Sequence, residues 1–436
     1  MKPTLSAKLL HALAPWRKAP AWHIAFSGGL DSTVLLHLLA SAEALPPLSA
    51  VHVHHGLQSA ADTWPSHCQS ICDRLGVPLR VMRVQVQPGA SLERAARDAR
   101  YRAFTEVIGA GEVLLTGQHR DDQAETLLFR LLRGAGVRGA AAMPVHRPLA
   151  GGHLVRPLLD VSRTELVAYA DEHQLKWIED PSNADMQFSR NYLRHRVIPT
   201  LTERWPQAVS SLARTAEHFG EAQALLGELA SMDLQVADQP SRFPWLPLPS
   251  LALGPLRDLS DARQRNVLRH WLAPLTRLPD TDHWAGWYSL RDAKGDAQPL
   301  WRLADGELHR CGERIWWLSR AWSEFSRASV SWPRPQNPLE LPGNGLLEII
   351  GKVPEVPLEV RYRQGGEMLE VPGRGRRDLK RLLNEYGVPG FVRGRLPLLY
   401  QGEQLLGVPN LTGLWASPSD GWKLHWMPQS CDQGLS

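Results

Sequence analysis

The stretch Ser27-Gly28-Gly29-Leu30-Asp31-Ser32 decides the fold of this chain, because it joins a short apolar run to a helical pattern. Residues 22–26 (WHIAF) before it predict a buried strand, and residues 32–39 predict a helix. Two glycines let the backbone turn tightly and approach a ligand closely. The start of a helix adds free N–H groups and the positive end of its dipole, so this turn is expected to bind phosphate. The alternative is an ordinary strand-to-helix turn with an N-cap.

The alternation of strand and helix continues outward from this loop. Further strands are predicted at residues 48–54, 79–86 and 112–117, and further helices at residues 64–75, 91–108 and 121–133. Strands that alternate with helices indicate βαβ units and a parallel sheet, whose ligands bind beyond the carboxyl ends of the strands.

Length and composition set the number of domains. The chain has 436 residues, of which 43% are hydrophobic and 22% charged, so wholesale disorder is excluded. Two or three domains are expected at about 150 residues each. Proline-rich linkers at 241–249 and 331–338 divide the later part. We predict a parallel-sheet α/β domain, a mainly helical middle domain and a small α+β C-terminal domain, over residues 1–215, 216–330 and 331–436.

Several classes of protein are excluded by simple patterns. No apolar run approaches the roughly 20 residues that a membrane span needs, and the N-terminus lacks the apolar region of a secretion signal. Four cysteines in so long a chain argue against a disulfide framework. We therefore expect a soluble cytoplasmic protein without a membrane partner. Its oligomeric state stays open, with a homodimer as one alternative.

A second constellation, residues 116–126 (TGQHRDDQAET), lies where the fourth strand meets its helix. Asp121, Asp122 and Glu125 fall on the first turn of that helix, where carboxylates suit the helix dipole. They also suit a cationic substrate or a metal ion. A capping cluster without further role is the alternative, which is weakened because this turn should share a sheet edge with the phosphate loop. In that loop Asp31 would by itself repel phosphate, so it is expected to hold Mg²⁺.

These motifs carry a family resemblance. The first loop resembles the SGGxDS loop of the PP-loop ATP-pyrophosphatase superfamily. With the second constellation it resembles the tRNA(Ile)-lysidine synthetase family, which also has an H-V-x-H-G-L motif and an A-R-x-x-R-Y helix. Matching stretches are residues 52–57, 96–101, 156–159, 179–183 and 189–199, so the resemblance covers about 200 residues. One departure is Gln118, where many members have a histidine.

The resemblance implies a two-step ligation on an isoleucine tRNA with a CAU anticodon. ATP adenylates the wobble cytidine and pyrophosphate leaves; free L-lysine then displaces AMP to give lysidine. ATP acts as co-substrate with Mg²⁺. His119 is a candidate base for the lysine amine.

The expected site residues follow from the motifs and the resemblance. Catalytic roles are expected for Asp31, Arg97, His119 and Asp122, with Asp31 on Mg²⁺. ATP is expected at Ser27, Gly28, Gly29, Leu30, Asp31, Ser32 and His54, and lysine at Asp122 and Glu125. The tRNA is expected at Arg190, Arg194, Arg374, Arg376, Arg377, Lys380 and Arg381.

The charge pattern supports a nucleic-acid partner. The chain has eight lysines and 41 arginines, and arginine grips phosphate with two hydrogen bonds, although a GC-rich genome would give the same bias. Residues 361–395 contain nine cations and four acids, a local charge of +5 against +4 for the whole chain. This stretch is expected to follow tRNA phosphates, the alternative being a solvated basic helix.

Two rival functions remain in the sequence. A PP-loop tRNA thiolase is disfavoured because Cys68 and Cys72 have the spacing of helix-core thiols. A non-catalytic ATP-sensing RNA-binding protein is disfavoured because the carboxylate set is intact. His52, His54 and His55 could suggest a metal, but a loop near the nucleotide fits them better.

Overall fold

The computed structural model describes residues 4–56, 59–86, 92–279, 282–294, 297, 299–354, 356–414 and 421–429. The chain divides into two units, residues 1–225 and 226–436. One helix, Ala208–Ala237, runs across this division and also across the predicted boundary at residue 215. The division into three domains stays a prediction.

The first unit alternates strands and helices as the sequence predicts. Its strands are β1 (Trp22–Ala25), β2 (Leu48–His54), β3 (Leu79–Arg83), β4 (Val113–Leu115), β5 (His146–Leu149) and β6 (Gly152–Val155). Its helices are α1 (Leu5–Ala12), α2 (Leu30–Ala40), α3 (Trp64–Leu75), α4 (Leu92–Thr105), α5 (Arg120–Leu131), α6 (Val137–Ala140), α7 (Arg163–Glu172), α8 (Ser189–Tyr192), α9 (Ile198–Arg204) and the first part of α10 (Ala208–Ala237).

The six strands form one sheet in the order β3-β2-β1-β4-β6-β5. Strand β1 lies between β2 and β4 and is parallel to both, and β6 continues the parallel set. The predicted parallel sheet is confirmed. Strand β5 is antiparallel at one edge, because it forms a hairpin with β6. Since β1, β2 and β4 point the same way, the loops after them meet at one edge of the sheet.

Helices cover both faces of this sheet. On one face, helices α1, α2, α3 and α7 pack on the fully buried side chains of Trp22 and Ile24. On the other face, Phe104 near the end of α4 packs with Leu114 and Leu154. The centre of the sheet is thus buried on both sides, as in β4 (VLL), where every residue is buried.

The second unit is built from shorter elements. Its strands are β7 (Ser250–Ala252), β8 (Leu300–Arg302), β9 (Gly306–Cys311), β10 (Arg314–Ser319), β11 (Val330–Trp332), β12 (Leu339–Leu341), β13 (Gly345–Gly351), β14 (Leu358–Arg361), β15 (Met368–Val371), β16 (Gly375–Asp378), β17 (Leu398–Gln401), β18 (Gln404–Gly407) and β19 (Trp422–Met427). Its helices are α11 (Leu253–Arg257), α12 (Asp261–Leu272), α13 (Trp284–Asp292), α14 (Arg320–Ser323), α15 (Leu379–Glu385) and α16 (Gly390–Arg393).

The predicted succession of a helical middle region and a small α+β C-terminal region is confirmed. In the middle region, α11, α12 and α13 pack on one side of an antiparallel sheet in the order β7-β10-β9-β8. That sheet was not predicted. The C-terminal region holds further antiparallel sheets around a core that contains Trp332, Leu383 and Trp426. Among the described residues, no helix is long and apolar enough to span a membrane.

Candidate active site

The phosphate loop connects β1 to α2, and its shape depends on glycine. Gly28 has a φ of +84°, in the left-handed region that favours glycine. A Cβ there would lie 2.7 Å from Ile178 Cδ1 and 2.9 Å from Cys68 Sγ. Gly29 is the N-cap of α2 in extended conformation, with φ of −76°. The loop therefore depends on its two glycines for different reasons. At Gly28 a side chain would be strained at the positive φ and would clash with Ile178 and Cys68. At Gly29 the absence of a side chain lets a ligand approach the backbone.

Hydroxyl groups and a neighbouring segment hold the loop in place. The Oγ atoms of Ser27 and Ser32 are 3.0 Å apart, and the Ser32 hydroxyl donates to the Gly29 carbonyl at 3.0 Å. The Ile178 N–H donates to the Gly28 carbonyl at 2.8 Å. The loop is thus fixed before any ligand arrives, as an anion site requires.

Gly117 joins the phosphate loop to the second constellation. It follows β4, and a Cβ on it would lie 3.0 Å from the carbonyl carbon of Asp31. Only a residue without a side chain lets the end of β4 approach the start of α2 this closely. The two motifs, about 90 residues apart in sequence, therefore meet at one edge of the sheet.

His119 is the N-cap of α5 and lies between three carboxylates, with 1% of the residue exposed. Its Nε2 is 3.6 Å from Asp31 Oδ1 and 3.5 Å from Asp122 Oδ2, and its Nδ1 is 3.5 Å from Asp121 Oδ2. Burial by itself would lower the pKa of His119, but the neighbouring carboxylates outweigh it and raise the pKa. The imidazole can therefore hold a proton in the centre of the site.

Asp31 presents a carboxylate oxygen that no protein donor satisfies. Its Oδ1 is buried and has no hydrogen-bond partner. Burial raises the pKa of Asp31, and so does the nearby Asp122, while His119 and Arg163 work against the rise. A buried acceptor of this kind fits a cation, and Mg²⁺ is typically held by one or two carboxylates together with substrate phosphates. Within the described residues no three such side chains are arranged to hold a metal ion by themselves, so substrate phosphate oxygens and water would complete the coordination.

Two arginines from a segment that is distant in sequence form ion pairs with Asp122 and Glu125. Arg190 donates from Nε to Glu125 Oε2 at 2.9 Å and from NH2 to Asp122 Oδ1 at 2.8 Å. Arg194 donates from Nε to Glu125 Oε1 at 2.6 Å and from NH2 to Asp122 Oδ1 at 3.0 Å. Two carboxylates and two guanidinium groups balance in charge. Glu125, only 1% exposed, would otherwise be a costly buried charge.

Arg190 lies on α8, and Arg194 lies in the π-helix that follows it. Residues Leu193–Val197 form a π-helix between α8 and α9. Its wider turn interrupts the ordinary helical spacing between the two flanking helices. Burial by itself would lower the pKa values of Arg190 and Arg194, but the carboxylates raise both. Both residues were expected at tRNA phosphates; here their guanidinium groups lie on the carboxylates instead, and a contact with tRNA stays a prediction.

The two histidines at the end of β2, His52 and His54, occupy different environments. His54, expected near ATP, is 6% exposed, and its Nε2 lies 3.3 Å from Asp62 Oδ1. His52 lies 2.9 Å from the Phe26 carbonyl through Nδ1. His52 thus supports the backbone just before the phosphate loop, while a direct contact of His54 with ATP stays a prediction.

The cysteines near the loop are unreactive. Burial raises the pKa of Cys68 to about 12 and that of Cys72 to about 11. Because the thiolate is the reactive form, these groups pack as apolar side chains. This agrees with their predicted place in the core of a helix.

Other expected site residues are exposed. Arg97 is an exposed residue of α4, with its guanidinium carbon 5.5 Å from the centre of the Tyr101 ring. In the second unit, the hairpin of β15 and β16 carries exposed Arg376 and Arg377, and α15 follows it directly. Lys380 and Arg381 are exposed on that helix, and Arg374 donates to Glu385 at 3.0 Å. We call the five exposed cations Arg374, Arg376, Arg377, Lys380 and Arg381 the basic surface of the second unit.

Arg163 was missed from the sequence. It is the first residue of α7, its N–H donates to Asp121 Oδ2 at 2.8 Å, and its NH1 is 3.8 Å from Asp31 Oδ1. The signal was present in Ser162 and Glu165, which form a capping box and mark a helix start. That start lies at the same sheet edge, where a cation can serve an anionic ligand.

Comparison with protein families matches three parts of the chain. The profile described as "PP-loop domain" matches residues 1–201. The profiles described as "TilS substrate binding domain" and "TilS substrate C-terminal domain" match residues 251–316 and 358–426.

Curated relatives match nearly end to end. A protein of Pseudomonas fluorescens named tRNA(Ile)-lysidine synthase is 63% identical over 99% of this chain and 98% of its own length. A protein of the same name from Pseudomonas aeruginosa is 63% identical, with 99% of each chain covered. One from Escherichia coli O157:H7 is 41% identical over 88% of this chain and 90% of its own.

Proposed function

The chain belongs to the tRNA(Ile)-lysidine synthase family, and on this premise we propose how its residues divide the reaction. The enzyme is an ATP-dependent ligase that modifies an isoleucine tRNA. To this we add L-lysine as the amine, Mg²⁺ as the ion, and the roles of individual residues. The observation that carries the proposal is the meeting of Ser27–Ser32 with Asp122 and Glu125 at one sheet edge.

The first step activates cytidine. The oxygen on carbon 2 of the wobble cytidine attacks the α-phosphorus of ATP, a P–O bond forms, and pyrophosphate leaves. Ser27–Ser32 bind the pyrophosphate end through the start of α2 and through hydroxyl groups. Mg²⁺ bound at Asp31 would supply positive charge to the phosphates. Arg163, 3.8 Å from Asp31, adds a second positive charge at that edge.

The second step joins lysine to the activated base. The ε-amine attacks carbon 2, the C–O bond to the phosphate breaks, and AMP leaves with the oxygen. Asp122 and Glu125 bind the lysine ammonium, which then has to share or displace Arg190 and Arg194, because these arginines already balance both carboxylates. His119, 3.5 Å from Asp122, is the candidate to receive the proton of the attacking amine.

The tRNA body is bound by the basic surface of the second unit. Arg374, Arg376, Arg377, Lys380 and Arg381 lie along a hairpin and the helix after it. Phosphate contacts of this type weaken steeply with salt. A cytoplasmic location is part of this proposal, because the substrate is a tRNA; a homodimer stays a prediction.

A transfer assay tests the proposal. Protein, ATP, Mg²⁺, radiolabelled L-lysine and isoleucine tRNA with a CAU anticodon should give labelled RNA, AMP and pyrophosphate in equal amounts. Methionine tRNA with the same anticodon serves as the matched RNA control. A thiolase would form AMP with a sulfur donor and leave lysine unattached, and an ATP-sensing binder would release no AMP. Either outcome contradicts the proposal.

A further inference from the structure

Four arginines lie near Tyr101 in the first unit, and a fifth lies near one of them; we call the five the arginine cluster. Tyr101 is on α4, and its ring centre lies 4.8 Å from the guanidinium carbon of Arg147 and 5.5 Å from that of Arg97. Both distances are within the range of cation–π contacts. The cluster consists of Arg97, Arg100, Arg130, Arg147 and Arg156.

Arg156 is the buried member of the cluster. Only 4% of the residue is exposed, its NH1 donates to the Pro144 carbonyl at 2.7 Å, and its Nε has no hydrogen-bond partner. Burying a guanidinium group with an unused donor is costly unless an acceptor arrives. The position of this donor therefore points to an external ligand that accepts hydrogen bonds.

No carboxylate balances the cluster within the part of the chain that the structure describes: none of its five arginines forms an ion pair there. Burial lowers the pKa values of Arg130 and Arg156, and Arg97 lowers both of them further. Arg190 and Arg194 in the neighbouring site show the opposite shift because they face carboxylates. Among the described residues, the cluster is thus a concentrated positive charge without a carboxylate counterion.

The cluster is attached to the framework of the catalytic site. Arg156 directly follows β6, and the preceding Val155 carbonyl accepts from the Thr116 N–H at 3.1 Å, just after β4. Gln123 of α5 holds Met143 by two hydrogen bonds, of 2.8 and 2.9 Å. The carbonyl that accepts the hydrogen bond from Arg156 NH1 belongs to Pro144, the residue after Met143. The helix that carries Asp122 and the buried arginine are therefore positioned by one short segment.

We propose that the arginine cluster binds a backbone phosphate of the tRNA beside the nucleotide that is activated. This inference rests on the proposed function. A phosphate supplies the oxygen acceptors that Arg156 lacks and the negative charge that the cluster needs. ATP could offer the same chemistry, but its phosphates are assigned to the loop before α2, on the sheet face opposite to α4.

The decisive variant is Arg147→Gln, because Arg147 is half-buried and its other contact is with the adjacent Pro148 carbonyl. Arg102→Gln is the matched control, an exposed arginine on the same helix as Tyr101. We expect Arg147→Gln to weaken tRNA binding about fivefold to tenfold and to reduce the slope of log K against log salt by about 0.7 to 0.9. Arg102→Gln should bind like the wild type.

A second arm separates the two sources of phosphate. ATP affinity measured without tRNA should be the same in wild type, Arg147→Gln and Arg156→Lys. Equal tRNA affinity for Arg147→Gln and Arg102→Gln would overturn the inference, and so would a loss of ATP affinity without loss of tRNA affinity. If Arg156 variants do not fold, Arg147→Gln still tests the inference. Failure of the wild type to transfer lysine would instead count against the proposed function.

Discussion

Arg194 holds Glu125 at both carboxylate oxygens, with Nε 2.6 Å from Oε1 and NH2 2.9 Å from Oε2. The pair shares its charge with Asp122 and Arg190. Glu125→Gln keeps the shape of this side chain but removes its charge, so the ammonium of lysine loses a partner. We expect the KM for lysine to rise about tenfold to a hundredfold, as loss of a charged hydrogen bond gives. Initial-rate kinetics at varied lysine would measure this.

The adenylation step provides the internal control for Glu125→Gln. Pyrophosphate release with ATP and tRNA in the absence of lysine should stay within a few-fold of wild type. Equal losses in pyrophosphate release and in lysine transfer would place Glu125 in activation instead of lysine binding. Glu125→Ala is a poorer variant, because it leaves a cavity beside the half-buried Arg190 and Arg194 in addition to removing the charge.

Gly28→Ala and Gly29→Ala should separate backbone strain from ligand approach. At Gly28 the substitution combines a φ of +84° with a Cβ 2.7 Å from Ile178, and we expect about 2–4 kcal/mol of destabilisation. At Gly29 the nearest neighbour of a Cβ is Ser27 Oγ at 3.5 Å and φ is −76°, so stability should change by less than about 1 kcal/mol. Urea unfolding would measure both. Equal destabilisation by the two substitutions would contradict this account of the loop.

Asp31→Asn should abolish activation while leaving the fold intact. Burial and the nearby Asp122 disfavour the charged form of Asp31 and raise its pKa. The neutral amide of the Asp31→Asn variant should therefore not destabilise the protein. Loss of the charge should lower pyrophosphate release by about a thousandfold, since stabilisation of phosphate charge is a major part of catalysis. The measurement is pyrophosphate release over a range of Mg²⁺ concentrations. Wild-type rates at every Mg²⁺ concentration would refute the assignment of Asp31.

Glu165 should make the stability of the first unit depend on pH in the acidic range. Burial works to raise its pKa, but Lys8 at 2.6 Å and Ser162 lower the pKa to about 2 from an ordinary 4.5. A lowered folded-state pKa gives stability that is fully present above about pH 4.5 and is lost as pH falls towards about 2. Glu165→Gln should therefore be less stable than wild type at pH 6, by about 1 kcal/mol, and the difference should shrink at pH 3.

The measurement for Glu165 is the urea midpoint of wild type and Glu165→Gln at pH 6 and pH 3. Glu172→Gln is a matched control, since Glu172 ends the same helix. A difference between wild type and Glu165→Gln that grows on acidification would show that another group causes the effect.

The sequence predicted the phosphate loop and the second constellation, residues 116–126, well, for a physical reason. Short-range patterns fix them: two glycines, a helix start, and carboxylates on a first turn. The parallel arrangement of the strands then brings both motifs to one edge. The close approach of Gly117 to Asp31 is the structural form of that prediction.

What the sequence did not show are partners that only the fold brings together. Arg190 and Arg194 pair with carboxylates 65 to 72 residues away, and no local pattern distinguishes such a pair from arginines that face solvent. The sheet of the middle region was missed because its strands are three to six residues long and rich in tryptophan and arginine. The arginine cluster was missed because its members come from α4, α5, β5 and the residue after β6.

The π-helix at Leu193–Val197 makes this segment sensitive to length in a way that its composition does not reveal. Each residue of an α-helix turns the chain by about 100°. Deleting one residue from the π-turn would restore an ordinary helix and rotate Arg190 away from its carboxylates, while every side chain type in the segment stayed present. Homologous chains should therefore tolerate substitutions in this segment more readily than insertions or deletions. An alignment gap at this point would mark a change in how lysine is bound.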